Sequence, residues 1–116
     1  MEAVFGYSRA VVADGHVHVS GTAPIPADGG DPPTGAYEQA RLCLQIVLGA
    51  LENAGATAAD VVRTRVYVVP GIDFAEVGRA HAEVFGEVRP ATTGVVVAEL
   101  LDPRWLVEIE AEALIG

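Results

Sequence analysis

The chain has 116 residues, 51% of them hydrophobic, and a formal net charge of −9 in which none of the seven basic residues is a lysine. That balance leaves no basic face to neutralise phosphates, which argues against nucleic acid as a partner, and the lack of lysine excludes side-chain Schiff-base chemistry. No apolar run approaches the ~20 residues that span a bilayer, so no membrane partner is expected.

The length predicts one domain over residues 1–116. The start at Met1-Glu2 has no signal-like pattern, and the single Cys43 has no partner for an internal disulfide; both fit a reducing cytoplasm. The excess of apolar residues points to a surface buried against another subunit.

In chain order, two β-prone runs come first, "YSRAVV" and "HVHVSG". The Asp14-Gly15 pair between them signals a hairpin. "APIPADGGDPPTG" (23–35), rich in Pro and Gly, reads as a surface loop. Ala40, Leu44, Val47, Leu48 and Leu51 recur at helical spacing, predicting a helix over about 36–54 that ends at a left-handed Gly55. "VVRTRVYVVP" (61–70) is a β-branched strand closed by a Pro-Gly turn. A second helix starts at Asp73, with Glu76 completing a capping box and Phe74, Val77, Val84 and Phe85 as its inner stripe. Strands at about 93–100 and 105–115 finish the chain.

The order β-β-α-β-α-β-β has too few helices to cover both faces of a sheet. It predicts a two-layer α+β domain with both helices on one face. Val95, Val96 and Val97 would then be buried on both sides only if another copy covers the far face; a strongly curled sheet is the alternative.

On the last strand, Val107, Ile109, Ala111 and Ala113 point one way and Glu108, Glu110 and Glu112 the other. Carboxylates about 7 Å apart on one face repel unless cations lie opposite, and Arg63 and Arg65 are the cross-strand candidates. Glu108, nearest the turn, is the one placed to hold or activate a water. His16 and His18 share a strand face, but no third metal ligand accompanies them in sequence. Cys43 and His81 read as packed residues, and Tyr67 and Trp105 as core or interface.

Taken together, "GYSRAV", "VHVSGTAP", "DVVRTRVYVVPGIDFAEVGRAHAEVFG", "RPATTGVVVAEL" and "LVEIEAEAL" occur in the order found in the reactive intermediate deaminase (Rid, or YjgF) family, which the chain resembles over nearly its whole length. The resemblance implies a chorismate-mutase-like fold, a homotrimer with clefts between subunits, no cofactor, and a small-molecule ligand. It also implies hydrolysis of imines or enamines, with Glu108 as the water-holding glutamate, Tyr7 as the cleft tyrosine and Gly21 as a backbone contact. Thr92, Thr93 and Gly94 fall at the substrate-binding motif, where imine-hydrolysing members carry an arginine at the position of Thr92. That departure, with Gly78 in place of a frequent Asn and Gly94 in place of a frequent Cys, predicts an imine- or enamine-type substrate other than a simple 2-imino acid. A non-catalytic binding or sensing trimer is the alternative. Arg89 and Arg104 are the candidates for a substitute guanidinium.

Overall fold

The computed structural model describes residues 2–116; Met1 lies outside them. A short exposed helix, α1 (Glu2–Phe5), precedes the two strands β1 (Ala10–Ala13) and β2 (His16–Thr22). Their two-residue turn has Asp14 at φ 50° and Gly15 at φ 76°, the doubly left-handed turn that matches the twist of a hairpin. Gly15 is needed twice over, because a Cβ there would run into the carbonyl oxygen of Ile115. Helix α2 (Ala36–Asn53) follows, then a 3-10 turn (Ala58–Asp60), strand β3 (Val61–Val68), helix α3 (Phe74–Phe85), β4 (Ala91–Val96) and β5 (Val107–Leu114).

The end of α2 is a Schellman motif: Ala56 N–H donates to the Leu51 carbonyl and Gly55 N–H to that of Glu52, with Gly55 at φ 88°. At α3, Asp73 caps by accepting from Ala75 N–H at 3.0 Å. The reciprocal half of the expected capping box does not form, because the Glu76 carboxylate turns outward to Arg79 at 2.8 Å.

The strands form one mixed sheet, β1-β2-β5-β3-β4, antiparallel except for the parallel β3–β4 pair that α3 connects. Both long helices cover the same face. Val17 and Val19 of β2, Val66 and Val68 of β3, and the odd-numbered residues of β5 are buried beneath them. Cys43 belongs to this core, and burial pushes its thiol pKa up, so it is an inert apolar filler.

Two strand limits differ from the sequence reading. β4 runs over 91–96, not 93–100, because its partner β3 ends at Val68 just before Pro70. The last bond is Val97 N–H to the Val68 carbonyl, and nothing remains for 98–100 to pair with. β5 starts at Val107 because Trp105 is held in a turn by the Asp102 carbonyl.

Residues 23–35 are less of a surface loop than expected: Ala23, Pro24 and Pro32 are buried. The reason is Gln39, 1% exposed, whose amide nitrogen donates to the carbonyls of Pro33 (2.7 Å) and Arg104 (2.9 Å) while its oxygen accepts from Leu106 N–H (2.7 Å). One buried amide thus ties two loops to α2 at the entrance to β5. Replacing Gln39 by Leu orphans three backbone groups at once, each worth about 1–3 kcal/mol when left unpaired in a dry site. A loss of about 3 kcal/mol in urea unfolding is expected; a loss below about 1 kcal/mol would mean that water repairs the site.

Candidate functional site

The far face of the sheet, away from the helices, carries the charged residues. In register, Tyr67 lies opposite Glu108, Arg65 opposite Glu110 and Arg63 opposite Glu112. Arg65 donates to both Glu110 (3.3 Å) and Glu112 (3.1 Å), and the Tyr67 hydroxyl donates to Glu110 at 2.8 Å. The expected cross-strand pairing therefore holds for Arg65. Arg63 instead donates to the Thr93 hydroxyl at 2.8 Å, across to β4. His16 and His18 stack 6.3 Å apart on this face, and no cluster of three or more metal-type ligands exists among the described residues.

Glu108 is left outside that network. It is half-buried, and the loss of hydration raises its carboxyl above the ordinary glutamate range, with Glu110 pushing the same way. Arg9 opposes the shift. The Arg9 guanidinium is anchored by a 2.7 Å bond to the Gly21 carbonyl, and its Nε is buried without a partner among the described residues. Glycine at position 21 leaves room for the Glu108 carboxylate, which a Cβ there would displace. The irregularity in β2 between Val19 and Thr22 brings Gly21 to that position. Tyr7, 42% exposed, sits two residues before Arg9 in the segment entering β1. Gly21 and Glu108 thus lie together, with Arg9 as a third member that the motifs do not single out.

The other motif residues lie elsewhere. In the parallel pair, Thr92, Gly94 and Val96 are in register with Thr64, Val66 and Val68 and face the helix layer, whereas Thr93 and Val95 face the opposite side. Thr92 and Glu108 are therefore on opposite faces of the sheet, on strands separated by β3. Every residue of β4 is exposed, Val95 at 39% and Val96 at 67%. Next to β4 lies an open apolar groove of about 610 Å³, lined by Val68, Pro70, Ile72, Phe74, Gly94 and Val96 among others.

Phe74 is not in the inner stripe of α3; it is 45% exposed and its ring lies over Gly94, where a Cβ would come within 2.8 Å of it. The room left by Gly94 is filled by that ring, while the space beside Gly78 is open. Thr92 accepts or donates at 2.8 Å to Thr64, which in turn contacts Nε2 of His81 at 2.8 Å.

The two arginines named as candidates for a substitute guanidinium differ in their surroundings. Arg104 is spent on Asp102 and Asp31, and the pairing holds the Asp102 carboxyl down at about 2. Arg89 is exposed, with a left-handed φ of 57° just before Pro90.

The family described as "Endoribonuclease L-PSP" matches residues 1–115. The chain belongs to the Rid/YjgF family. An uncharacterised Streptomyces coelicolor protein is 40% identical over 119 residues, covering 99% of this chain and 86% of that one. A RutC family protein of Pyrococcus horikoshii is 37% identical, covering 92% and 85%. Among solved structures, Rv2704 of Mycobacterium tuberculosis, of the YjgF/YER057c/UK114 family, superposes with a TM-score of 0.88 at 45% identity, covering 98% and 91%. Escherichia coli TdcF with bound serine superposes at 0.87 and 29% identity, covering 95% and 88%. The Rid/YjgF fold is thereby shown for this chain.

The opposing influences on Glu108 make a testable pair. Replacing Arg9 by Gln removes a cation that holds the carboxyl down, so the Glu108 titration, followed by carbon-13 NMR of its carboxyl, is expected to move to higher pH. An unchanged midpoint would show that the two groups do not interact.

Proposed function

We propose that copies of this Rid/YjgF chain form a homotrimer in which the Glu108 side of one subunit closes on the β4–α3 groove of the next. In that pocket an imine, an enamine or a related reactive metabolite other than a simple 2-imino acid is hydrolysed. The observation that carries the reading is that one chain places Glu108 and Thr92 on opposite faces of its sheet while leaving β4 bare on both sides. Each chain holds two half-sites, and only a neighbour can complete either. Leaving Val95 and Val96 in water costs on the order of 25 cal/mol per Å² of apolar surface, which association removes.

In the joined pocket the Glu108 carboxylate accepts a proton from a water whose oxygen attacks the imine carbon. The resulting tetrahedral adduct collapses to a carbonyl as the nitrogen takes up protons and leaves as ammonia, so that imine and water become carbonyl compound and ammonia. A carboxyl held above its ordinary range by burial is a better base in its ionised form, and turnover falls as acid protonates it. Tyr7 and the Gly21 backbone orient the ligand, although Arg9 already occupies one lone pair of the Gly21 carbonyl. The bound serine of TdcF supports a ligand of amino-acid size.

At the clamp position, Thr92 gives a carboxylate one neutral hydrogen bond where arginine would give two charge-assisted ones, a deficit of about 2–4 kcal/mol. An RNA substrate is disfavoured by the net charge of −9.

A second reading, a binding or sensing trimer without turnover, is favoured by one observation: the Phe74 ring occupies the space over Gly94. An oxidase-coupled imine assay is expected to show at most about one-hundredth of the 2-iminobutyrate turnover of an arginine-bearing relative; comparable turnover would overturn the assigned role of Thr92. On a substrate that is turned over, Glu108→Gln is expected to abolish hydrolysis while ligand binding persists. Undiminished hydrolysis would remove Glu108 from the reaction.

A further inference from the structure

Beside the β4–α3 groove, two residues along β4 from its lining Gly94, runs a line of hydrogen-bonding groups that imine hydrolysis by Glu108 does not use. His81 Nε2, Thr64 Oγ1 and Thr92 Oγ1 follow one another at 2.8 Å and 2.8 Å, running from α3 through a fully buried hydroxyl of β3 to the exposed edge of β4. Thr92 has a further contact, to the Pro90 carbonyl, but at 3.3 Å it is long for a hydroxyl bond. We infer that His81 and Thr64 act as positioning residues that orient the Thr92 hydroxyl, so that this end of the pocket reads an uncharged carbonyl, amide or imine group and not a carboxylate. The inference rests on the reading of the groove as a ligand half-site and names what that half-site selects.

Proton counting limits how the line can be arranged. Thr64 carries a single hydroxyl hydrogen and is fully buried between two partners, so that hydrogen is satisfied only when Thr64 donates to one and accepts from the other. If His81 Nε2 carries the proton, Thr64 accepts from it and donates to Thr92, whose own hydrogen then points at a ligand acceptor. If Nε2 is bare, Thr64 donates to it and accepts from Thr92, which presents lone pairs to a ligand N–H. Either way the direction of Thr92 is set from inside: in the second arrangement it faces a ligand N–H, which a carboxylate lacks, and in the first it donates to an oxygen without any cation in the line to hold a carboxylate's charge.

Burial lowers the His81 pKa, and the ring packs 4.9 Å from Phe85, so near neutral pH the line brings no positive charge to offset a carboxylate. Gly78 leaves the space one helical turn from His81 open for the ligand.

Pyruvate and pyruvamide are the probes: they share a ketone and a methyl group and differ in carboxylate against amide. Each is titrated into the assembled protein while the Gly78 and Gly94 amide resonances are followed. The wild type is expected to bind pyruvamide about tenfold more tightly than pyruvate, as one matched neutral hydrogen bond would give. Thr64→Val and His81→Phe are each expected to bring the ratio close to one, although neither alters Thr92. Thr64→Ser keeps a hydroxyl in the line and is expected to keep the preference, which separates positioning from packing. Thr92→Arg is expected to reverse it. Equal binding of the two probes by the wild type, or a preference that survives Thr64→Val and His81→Phe, would overturn the relay while leaving the half-site standing. Resonances that respond to neither probe would overturn the half-site and the relay together.

Discussion

Two helices cover one face of a five-stranded sheet, and nothing among the described residues covers the other face of β4. β4 feels that constraint most. It pairs only with β3, at the sheet edge, and carries two valines more than a third exposed in a segment without a charged residue. A bare, apolar edge strand is a liability that proteins cover or blunt, and here no proline, charge or bulge within Ala91–Val96 blunts it. The same geometry divides the motif residues between two faces. Glu108 and Thr92 thus stand at two separate places on one molecule.

The charge arrangement obeys the same layout. Arg65 bridges Glu110 and Glu112 in a ladder across β5 and β3, while Glu108 sits half-buried against Gly21 outside it. With threonine in the motif position of the clamp, the cation nearest that carboxylate comes from Arg9, ahead of β1. The Glu108 side therefore carries a positive charge of its own. Thr92, in turn, is tied inward to Thr64 and His81, so the β4 side is polar and uncharged.

Much of this was legible in the residue pattern. The 3.6-residue spacing and Gly55 marked α2 and its cap, Asp14-Gly15 marked the hairpin, and the alternation of "VEIEAEAL" separated core from carboxylates along β5. What stayed hidden depends on contacts between distant segments. Arg9 lies close to Glu108 only because β2 shifts register between Val19 and Thr22 and turns the Gly21 carbonyl toward it. Phe74 falls on the helical period of the core, yet the missing side chain at Gly94 draws its ring out over β4. The length of β4 was set by where β3 stops, which no local pattern in 91–100 records. The His81–Thr64–Thr92 line joins three elements, and only the alternation that puts Thr64 beside Val66 and Val68 hinted at its middle member.

Light scattering on the purified chain at micromolar concentration asks whether the uncovered β4 face is met by another copy. A single species at three times the 12.0 kDa of one chain is expected, reduced toward the monomer by Val95→Asp. A stable, monodisperse 12.0 kDa particle would contradict the trimer, because the two half-sites would then never meet.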